Sequence, residues 1–321
     1  MSNTTIVQSK SEIGAGTYGA SIGVEALKLA ALNQGNGYFK DRNIIEIINH
    51  NSSLFSSSSI DTPHAKNIDK LIDIYQDFCH KFKKVYDTGN IPIVLAGDHS
   101  SAGGTIAGIK HSFPQKRLGV IWVDAHADLH SPYTSPTGNM HGMPLAVSLG
   151  IDNKANQKNN VSNDAVNYWK KLKNISEINP KIDSRDVVLI GVRDTEKEED
   201  VLIHELNMKT FVVEEVRQSN PKKIANETLK YLENCDIIYV SFDVDSMDCD
   251  LISHGTGTPV CNGFSEKEST ELLIELCKST KLCCFEITEI NPLLDEKNTM
   301  AETGFRILEK VSQIIEEKLD L

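Results

Sequence analysis

Leu118-Gly119-Val120-Ile121-Trp122-Val123-Asp124-Ala125-His126-Ala127-Asp128 joins an apolar run to three metal-type ligands at every second position. The apolar part reads as a buried strand. Extended backbone points side chains i, i+2 and i+4 to one face. The strand end is therefore expected to present two carboxylates and an imidazole on one side. Carboxylates buried this closely repel unless they are protonated or bound to a cation.

Two further runs follow the same plan. Ile237-Ile238-Tyr239-Val240-Ser241-Phe242 leads into Asp243-Val244-Asp245, and Ile91 to Ala96 leads into Gly97-Asp98-His99-Ser100. Between such runs lie helical patterns: Ile68, Leu71, Ile72, Tyr75, Cys79 and Phe82, and later Ile307, Leu308, Val311, Ile314 and Ile315. Other short β-rich runs are Ile44–Ile48, Val187–Val192, Phe211–Val213 and Leu282–Ile287. This alternation predicts an α/β fold with a mainly parallel central sheet and helices on both faces, a three-layer α/β/α arrangement. In open α/β sheets ligands bind at the carboxyl ends of the strands, so the three ligand runs converge on one edge. Asn51–Thr62, with six serines, and Asp152–Asp164, nearly free of apolar residues, read as surface loops. Neither is long enough to separate domains, and residues 1–321 read as a single domain.

Bulk properties narrow the function classes. Hydrophobic residues make up 40% of the chain and charged residues 24%, as in an ordinary globular protein. A net charge of −12 argues against a general nucleic-acid or acidic-membrane surface and leaves room for a small cationic partner. No apolar run approaches a membrane span, and Met1 to Lys10 reads as a polar start without a signal-peptide core, which gives a cytoplasmic expectation. Seven cysteines without a CxxC pair make a poor disulfide framework and a poor zinc ribbon. Cys249 lies four residues past Asp245 but is not counted as a ligand.

The candidate metal ligands are His99, Asp124, His126, Asp128, Asp243 and Asp245, a set of carboxylates and imidazoles without thiolates. Its four negative charges match two divalent cations. Oxygen-rich sets with some imidazole suit Mn²⁺, while Co²⁺, Fe²⁺ and Ni²⁺ remain open, because availability decides among them. Two cations sharing carboxylates acidify and orient a bridging water. The stretch from His130 to Pro144 is rich in Ser, Thr, Asn and His with Pro and Gly turns, a loop of hydrogen-bonding groups suited to gripping a polar substrate.

Six segments occur in order: Gly97-Asp98-His99-Ser100, Asp124-Ala125-His126-Ala127-Asp128, Thr137-Gly138-Asn139-Met140-His141-Gly142-Met143-Pro144, Ser241-Phe242-Asp243-Val244-Asp245, Gly255-Thr256-Gly257-Thr258-Pro259-Val260 and Glu289-Ile290-Asn291-Pro292. Together they resemble the ureohydrolases, and arginases in particular, from about Gly14 to the C-terminal helix. The resemblance implies one manganese on His99, Asp124, Asp128 and Asp243 and another on Asp124, His126, Asp243 and Asp245. It implies attack of a metal-bridging hydroxide, hydrogen-bonded to Asp128, on the guanidinium carbon of L-arginine, giving urea and L-ornithine. His141 would shuttle protons, Glu289 would anchor the guanidinium, and Thr258 would lie in the segment lining its pocket. Thr137 and Asn139 match positions that bind the α-carboxylate, and Glu196 and Glu199 those that bind the α-ammonium. A homo-oligomer, trimeric or hexameric, is also implied.

Three departures from the family pattern bear on the substrate grip. His130 stands where an Asn helps bind the carboxylate, and Glu196 stands where an Asp is expected. Asp248-Cys249-Asp250 replaces the usual Asp-Pro, with the step to Gly255 one residue long. The nearest alternative is another amidinohydrolase acting on agmatine, guanidinobutyrate or a related guanidine. A catalytically silent metal-binding regulator is opposed by the presence of every ligand with His141 and Glu289. Gly14-Ala15-Gly16-Thr17-Tyr18-Gly19 matches GxGxxG literally, but Ser9-Lys10-Ser11-Glu12 makes a poor strand before it, so it reads as a glycine-rich turn near the site rim rather than a dinucleotide motif.

Overall fold

The computed structural model describes residues 3–55 and 61–319. The chain begins with strand β1 (Thr4–Ser9), helix α1 (Gly23–Asn33), strand β2 (Asn43–Glu46) and helix α2 (Ile68–Asp87). Next come β3 (Ile91–Ala96), α3 (Ser101–Ser112), β4 (Leu118–Val123), α4 (Pro144–Leu149) and α5 (Asn163–Lys173). Then follow β5 (Val187–Ile190), α6 (Lys197–Glu205), β6 (Lys209–Phe211), α7 (Val213–Ser219) and α8 (Pro221–Tyr231). The chain closes with β7 (Ile237–Asp243), α9 (Glu266–Cys277), β8 (Leu282–Thr288) and α10 (Thr299–Leu319).

Among the described residues the strands form one eight-stranded sheet in the order β2-β1-β3-β8-β7-β4-β5-β6, and every pairing is parallel. Side chains alternate between two apolar layers, as the period of a strand requires. Val94, Val120 and Trp122 face the layer of α2 to α5, whereas Ile93, Ile121 and Val123 face α1 and α8 to α10. This is the expected three-layer α/β/α architecture. No helix among the described residues is long and apolar enough to cross a membrane.

Two expectations need correction. The N-terminal segment is not merely a polar start. Thr4 to Ser9 form a fully buried strand between β2 and β3, in register with Ile91 to Ala96. Its polar residues Thr4, Thr5, Gln8 and Ser9 concealed it, since only Ile6 and Val7 carry the apolar signal. The ligand run after β4 is also not a continued strand. Extended pairing stops at Val123, the backbone bends, and Asp128 sits at φ 51°. The six-serine stretch begins as a 3-10 turn (Asn51–Phe55), and its residues 56–60 lie outside the described residues.

The close approach of α3 to α2 fixes the segment that carries His99. Gly103 leaves room for Tyr75, and a Cβ there would meet Tyr75 Oη at 2.1 Å. The Tyr75 hydroxyl in turn donates to the Ser100 carbonyl at 2.7 Å.

Candidate metal centre and substrate pocket

The strands β3, β8, β7 and β4 are consecutive neighbours in the parallel sheet, so their carboxyl ends open on one edge. β3 is followed by His99, β4 by Asp124, and β7 ends in Asp243, while Glu289 directly follows β8. His99 Nδ1 lies 3.0 Å from Asp124 Oδ2, 3.1 Å from Asp128 Oδ2 and 3.1 Å from Asp243 Oδ2. His126 Nδ1 lies 3.0 Å from Asp245 Oδ2 and 3.5 Å from Asp124 Oδ1. Asp124 thus turns one oxygen to each imidazole. All six sequence-derived ligands meet in one place.

The local backbone explains the convergence. Asp124 Oδ1 accepts from the His126 N–H at 2.7 Å, and Asp243 Oδ1 accepts from the Asp245 N–H at 2.8 Å. Each carboxylate folds back on the amide two residues ahead, an Asx-type turn that brings the second ligand to the side of the first. Asp128 reaches the cluster from left-handed backbone, and Glu289 is also at positive φ, 65°. Non-glycine residues in this region concentrate at functional sites.

The donor set fits divalent cations. His99 Nδ1, Asp124 Oδ2 and Asp128 Oδ2 are fully buried without a hydrogen-bond partner, although they face one another. Buried polar groups are normally satisfied, and ligand atoms aimed at a common centre leave room for an ion to do so. Gathered this closely, the buried carboxylates disfavour their charged forms. Burial, then Asp245 and Asp124, push the Asp243 carboxyl well up, and burial raises Asp245 to about 6. Burial alone would lower the His99 imidazole, but the adjacent carboxylates of Asp124, Asp128 and Asp243 hold it well above its ordinary value. Two clusters that share Asp124, His99-Asp124-Asp128 and Asp124-His126-Asp245, each bring three candidate ligand atoms together.

Several supporting residues escaped the sequence reading. Ser241 Oγ lies 2.8 Å from His99 Nε2, which fixes the ring so that Nδ1 faces the cluster, and Trp122 stacks on it at 4.1 Å. Ser241 was legible only as one polar residue inside an apolar strand. Arg193 donates to the carbonyls of Asp245, Ser246, Met247, Val260 and Cys261, tying the segment after β7 to the segment before Phe264. Asp194 lies in the pocket wall with Oδ2 3.6 Å from His126 Nε2. Its place after β5, which pairs with β4, is the signal that locates it.

A cavity of about 320 Å³ opens above the cluster. Its lining includes every predicted substrate contact: His130, Thr137, Asn139, Glu196, Glu199 and Thr258, together with His141 and Glu289. Thr258 Oγ1 donates to Asp245 Oδ2 at 3.0 Å. Glu289 Oε1 accepts from the His99 N–H at 2.9 Å and lies 3.1 Å from His141 Nδ1. Burial would lower His141, but Glu289 outweighs it and raises the imidazole to about 9.

The predicted α-substituent residues split into two groups. Asn139 Oδ1 accepts from Lys66 Nζ at 3.0 Å and Thr137 Oγ1 accepts from the Asn139 N–H at 3.1 Å, both on the mouth of the pocket. His130 is held more tightly than the sequence suggested. Its Nε2 lies 2.8 Å from Glu196 Oε2 and its Nδ1 3.1 Å from Thr134 Oγ1. Glu199 is buried and accepts from the Leu129 and Glu196 N–H groups at 3.0 and 3.2 Å. Burial raises its carboxyl to about 8, whereas the bond to His130 lowers Glu196 to about 2. Cys249 is buried away from the ligands, with its Sγ 3.3 Å from Cys261 Sγ.

The glycine-rich turn sits at the pocket rim, where Gly16 and Thr17 line the opening. The strand β1 ends at Ser9, so Lys10, Ser11 and Glu12 lie outside it, as expected. A phosphate has no place there, because Glu12 Oε2 already accepts from the Gly19 and Ser21 N–H groups at 2.7 and 3.1 Å. A carboxylate fills the position that a dinucleotide motif reserves for an anion.

Comparisons with known proteins agree with this geometry. The sequence profile of the Arginase family matches residues 4–312. An arginase of Brevibacillus brevis is 33% identical over 316 residues, covering 96% of this chain and 97% of that protein. The native arginase structure from Bacillus caldovelox at pH 5.6 has a TM-score of 0.82 and 29% identity, covering 97% of this chain and 98% of its own. An Entamoeba histolytica arginase in complex with L-ornithine has a TM-score of 0.78 and 28% identity, covering 97% of both chains. A Bacillus subtilis formimidoylglutamase and a hypothetical agmatinase from Burkholderia thailandensis, each 16% identical, share the fold at TM-scores of 0.73 and 0.69. Fold likeness therefore does not select the substrate, but a profile match over nearly the whole chain places this protein in the arginase family of hydrolases.

Proposed function

We propose that this ureohydrolase cleaves L-arginine to L-ornithine and urea, using two Mn²⁺ ions per chain. The observation that carries the reading is the convergence of His99, Asp124, His126, Asp128, Asp243 and Asp245 beneath a pocket rimmed by His130, Thr137, Asn139 and Glu196. His99, Asp124, Asp128 and Asp243 would hold one cation and Asp124, His126, Asp243 and Asp245 the other. When bound, the cations supply an acidified, oriented water as nucleophile.

The protein's own groups do the rest. Glu289 keeps one oxygen on the His99 amide and His141, which leaves the other to accept a guanidinium N–H. Asp128 would orient that nucleophile by accepting a hydrogen bond from it. His141, kept cationic by Glu289, delivers a proton to the leaving amine and recovers one from solvent at the pocket mouth. Thr258 stays on Asp245 and shapes the guanidinium end of the pocket. At the other end Asn139, Thr137 and His130 take the α-carboxylate, and Glu196 with Glu199 takes the α-ammonium. The ornithine complex of the Entamoeba relative supports an amino-acid end of this kind.

A guanidine without a carboxylate, such as agmatine, is the second reading, since the His130–Glu196 pairing departs from the family pattern in the part of the site that tells the two apart. We read the chain as a single catalytic domain, in keeping with its one continuous sheet, and as cytoplasmic, in keeping with cysteines that are all free thiols. Assembly into a homo-oligomer is supported by exposed Tyr18, Leu293 and Leu294 on neighbouring segments, where Asn291 Nδ2 donates to the Tyr18 carbonyl. The test is urea release from L-arginine by chelator-treated protein with and without added Mn²⁺. Release that depends on Mn²⁺ is expected; no urea in either case would overturn the reading.

A further inference from the structure

The loop between β7 and α9 carries the guanidinium end of the pocket, and its neck is closed by two cysteines. Cys249 Sγ and Cys261 Sγ lie 3.3 Å apart. The flanking backbone is already paired across the neck. The Cys249 N–H donates to the Val260 carbonyl at 3.4 Å, the Asp248 N–H to the Phe264 carbonyl at 2.9 Å, and Met247 bridges Phe264. Arg193 clamps both sides by donating to the Met247, Val260 and Cys261 carbonyls. Between the two thiols the loop bulges outward at exposed Leu251, then returns to place Gly257 and Thr258 in the pocket wall. Cys249 is buried, whereas Cys261 is exposed and open to a small oxidant.

We propose that Cys249 and Cys261 are an oxidisable pair that forms a reversible disulfide, stapling the neck of the loop that brings Thr258 into the pocket. With hydrogen peroxide the balance is simple. The Cys261 thiolate attacks a peroxide oxygen, the O–O bond breaks and water leaves, giving a sulfenic acid. The Cys249 thiolate then attacks that sulfur and displaces a second water, so two thiols and one peroxide give one disulfide and two waters. Dithiothreitol reverses the bond by exchange.

Two observations favour the disulfide over a soft-metal site. Zinc bonded to two thiolates at about 2.3 Å each with tetrahedral angles would hold the sulfurs roughly 3.8 Å apart, farther than they are here. The remaining candidate ligands, Asp250 and His254, are side chains more than half exposed, held to each other at 3.6 Å. Cys249 and then the Asp250 carboxylate hold the Cys261 thiol up, so little thiolate is present near neutrality and oxidation is faster as pH rises. The other five cysteines and Cys249 are buried, so a small oxidant reaches Cys261 first.

The experiment treats the full-length protein with hydrogen peroxide, removes the excess with catalase, denatures it, and alkylates the remaining thiols before digestion and mass spectrometry. The expected product is one peptide pair linked through Cys249 and Cys261, released by dithiothreitol, with the other five cysteines alkylated. Oxidation is expected to raise the unfolding temperature of the wild type by a few degrees and to leave Cys261→Ser and Cys249→Ala unchanged. Alkylation of both thiols after peroxide, or over-oxidation of Cys261 with Cys249 free, would overturn the proposal. One zinc taken up by the reduced wild type and not by Cys261→Ser, with no cross-link after peroxide, would assign a metal site in its place. The link to the pocket rests on the arginine reading and has its own measurement. The KM for arginine should shift about twofold or more on oxidation of the wild type and not of Cys261→Ser. A cross-link without that shift removes the coupling to the pocket, whereas absence of turnover leaves the mass-spectrometric result intact.

Discussion

His130 Nε2 lies 2.8 Å from Glu196 Oε2, so an imidazole already occupies one of the carboxylates expected to receive the substrate's α-ammonium. The pairing couples the two α-substituent contacts. Binding an amino acid must loosen Glu196 from His130 while offering His130 the α-carboxylate in exchange. A substrate with an ammonium and no carboxylate makes the first demand without the second compensation. His130→Ala is therefore expected to raise the KM for arginine roughly three- to tenfold while leaving that for agmatine unchanged or lower. Steady-state kinetics on both substrates check this, and equal losses for the two would mean that His130 serves Glu196 alone.

Glu199 gives a stability prediction. Burial raises its carboxyl to about 8 in the folded protein, against an ordinary value of 4.5. Between those values the folded state binds a proton that the unfolded state has released, so this group makes stability fall as pH rises through the window. Glu199→Gln should flatten the slope by on the order of 1–3 kcal/mol across that interval. Thermal unfolding of both proteins from pH 5 to pH 8 is the measurement, and an unchanged slope would contradict the assignment.

The proton shuttle proposed for His141 predicts the alkaline limb of activity. Glu289 holds His141 cationic up to about 9, against an ordinary value of 6.5. If His141 donates the proton, kcat should fall as pH rises through about 9. Glu289→Gln removes the counter-charge and should move that limb toward the ordinary histidine value. His141→Asn should lower kcat about 10²- to 10⁴-fold and abolish the limb, with bound metal unchanged. A limb that persists in His141→Asn belongs to another group.

Metal removal should destabilise the fold at its centre. His99 Nδ1, Asp124 Oδ2 and Asp128 Oδ2 are buried without hydrogen-bond partners, so their satisfaction depends on a cation. Chelation is expected to lower the unfolding temperature, and Mn²⁺ is expected to restore it in a concentration-dependent way. Asp124→Asn, which disturbs the carboxylate facing both imidazoles, should lose more metal than His126→Asn. Elemental analysis after dialysis reads the difference.

The meeting place of the six candidate ligands was legible because each strand–ligand run is local in sequence and a parallel sheet brings strand ends to one edge. The geometry that groups them differs from the extended strand that their spacing implies. Asp124, His126 and Asp128 share a site through an Asx-type turn and left-handed backbone at Asp128, not through a continued strand. Periodicity gave the right partners because a tight turn and an extended segment both bring residues i and i+2 to one side. β1 was hidden because Thr4, Thr5, Gln8 and Ser9 are buried polar residues whose sheet pairing no local pattern announces. Arg193 was equally opaque as a clamp, since its carbonyl partners span Gly191 to Cys261. The His130–Glu196 pair joins residues on separate segments, and sequence alone could mark each as a departure but not their contact.

The central claim is that the pocket over the dimetal ligand set selects an α-amino acid guanidine. Its most direct test is kcat/KM for L-arginine against agmatine on the Mn²⁺-loaded protein. An advantage for arginine of about tenfold or more is expected, the equivalent of one good carboxylate contact in transition-state binding. A higher kcat/KM for agmatine would contradict the account, showing that Asn139, Thr137 and His130 do not bind a carboxylate.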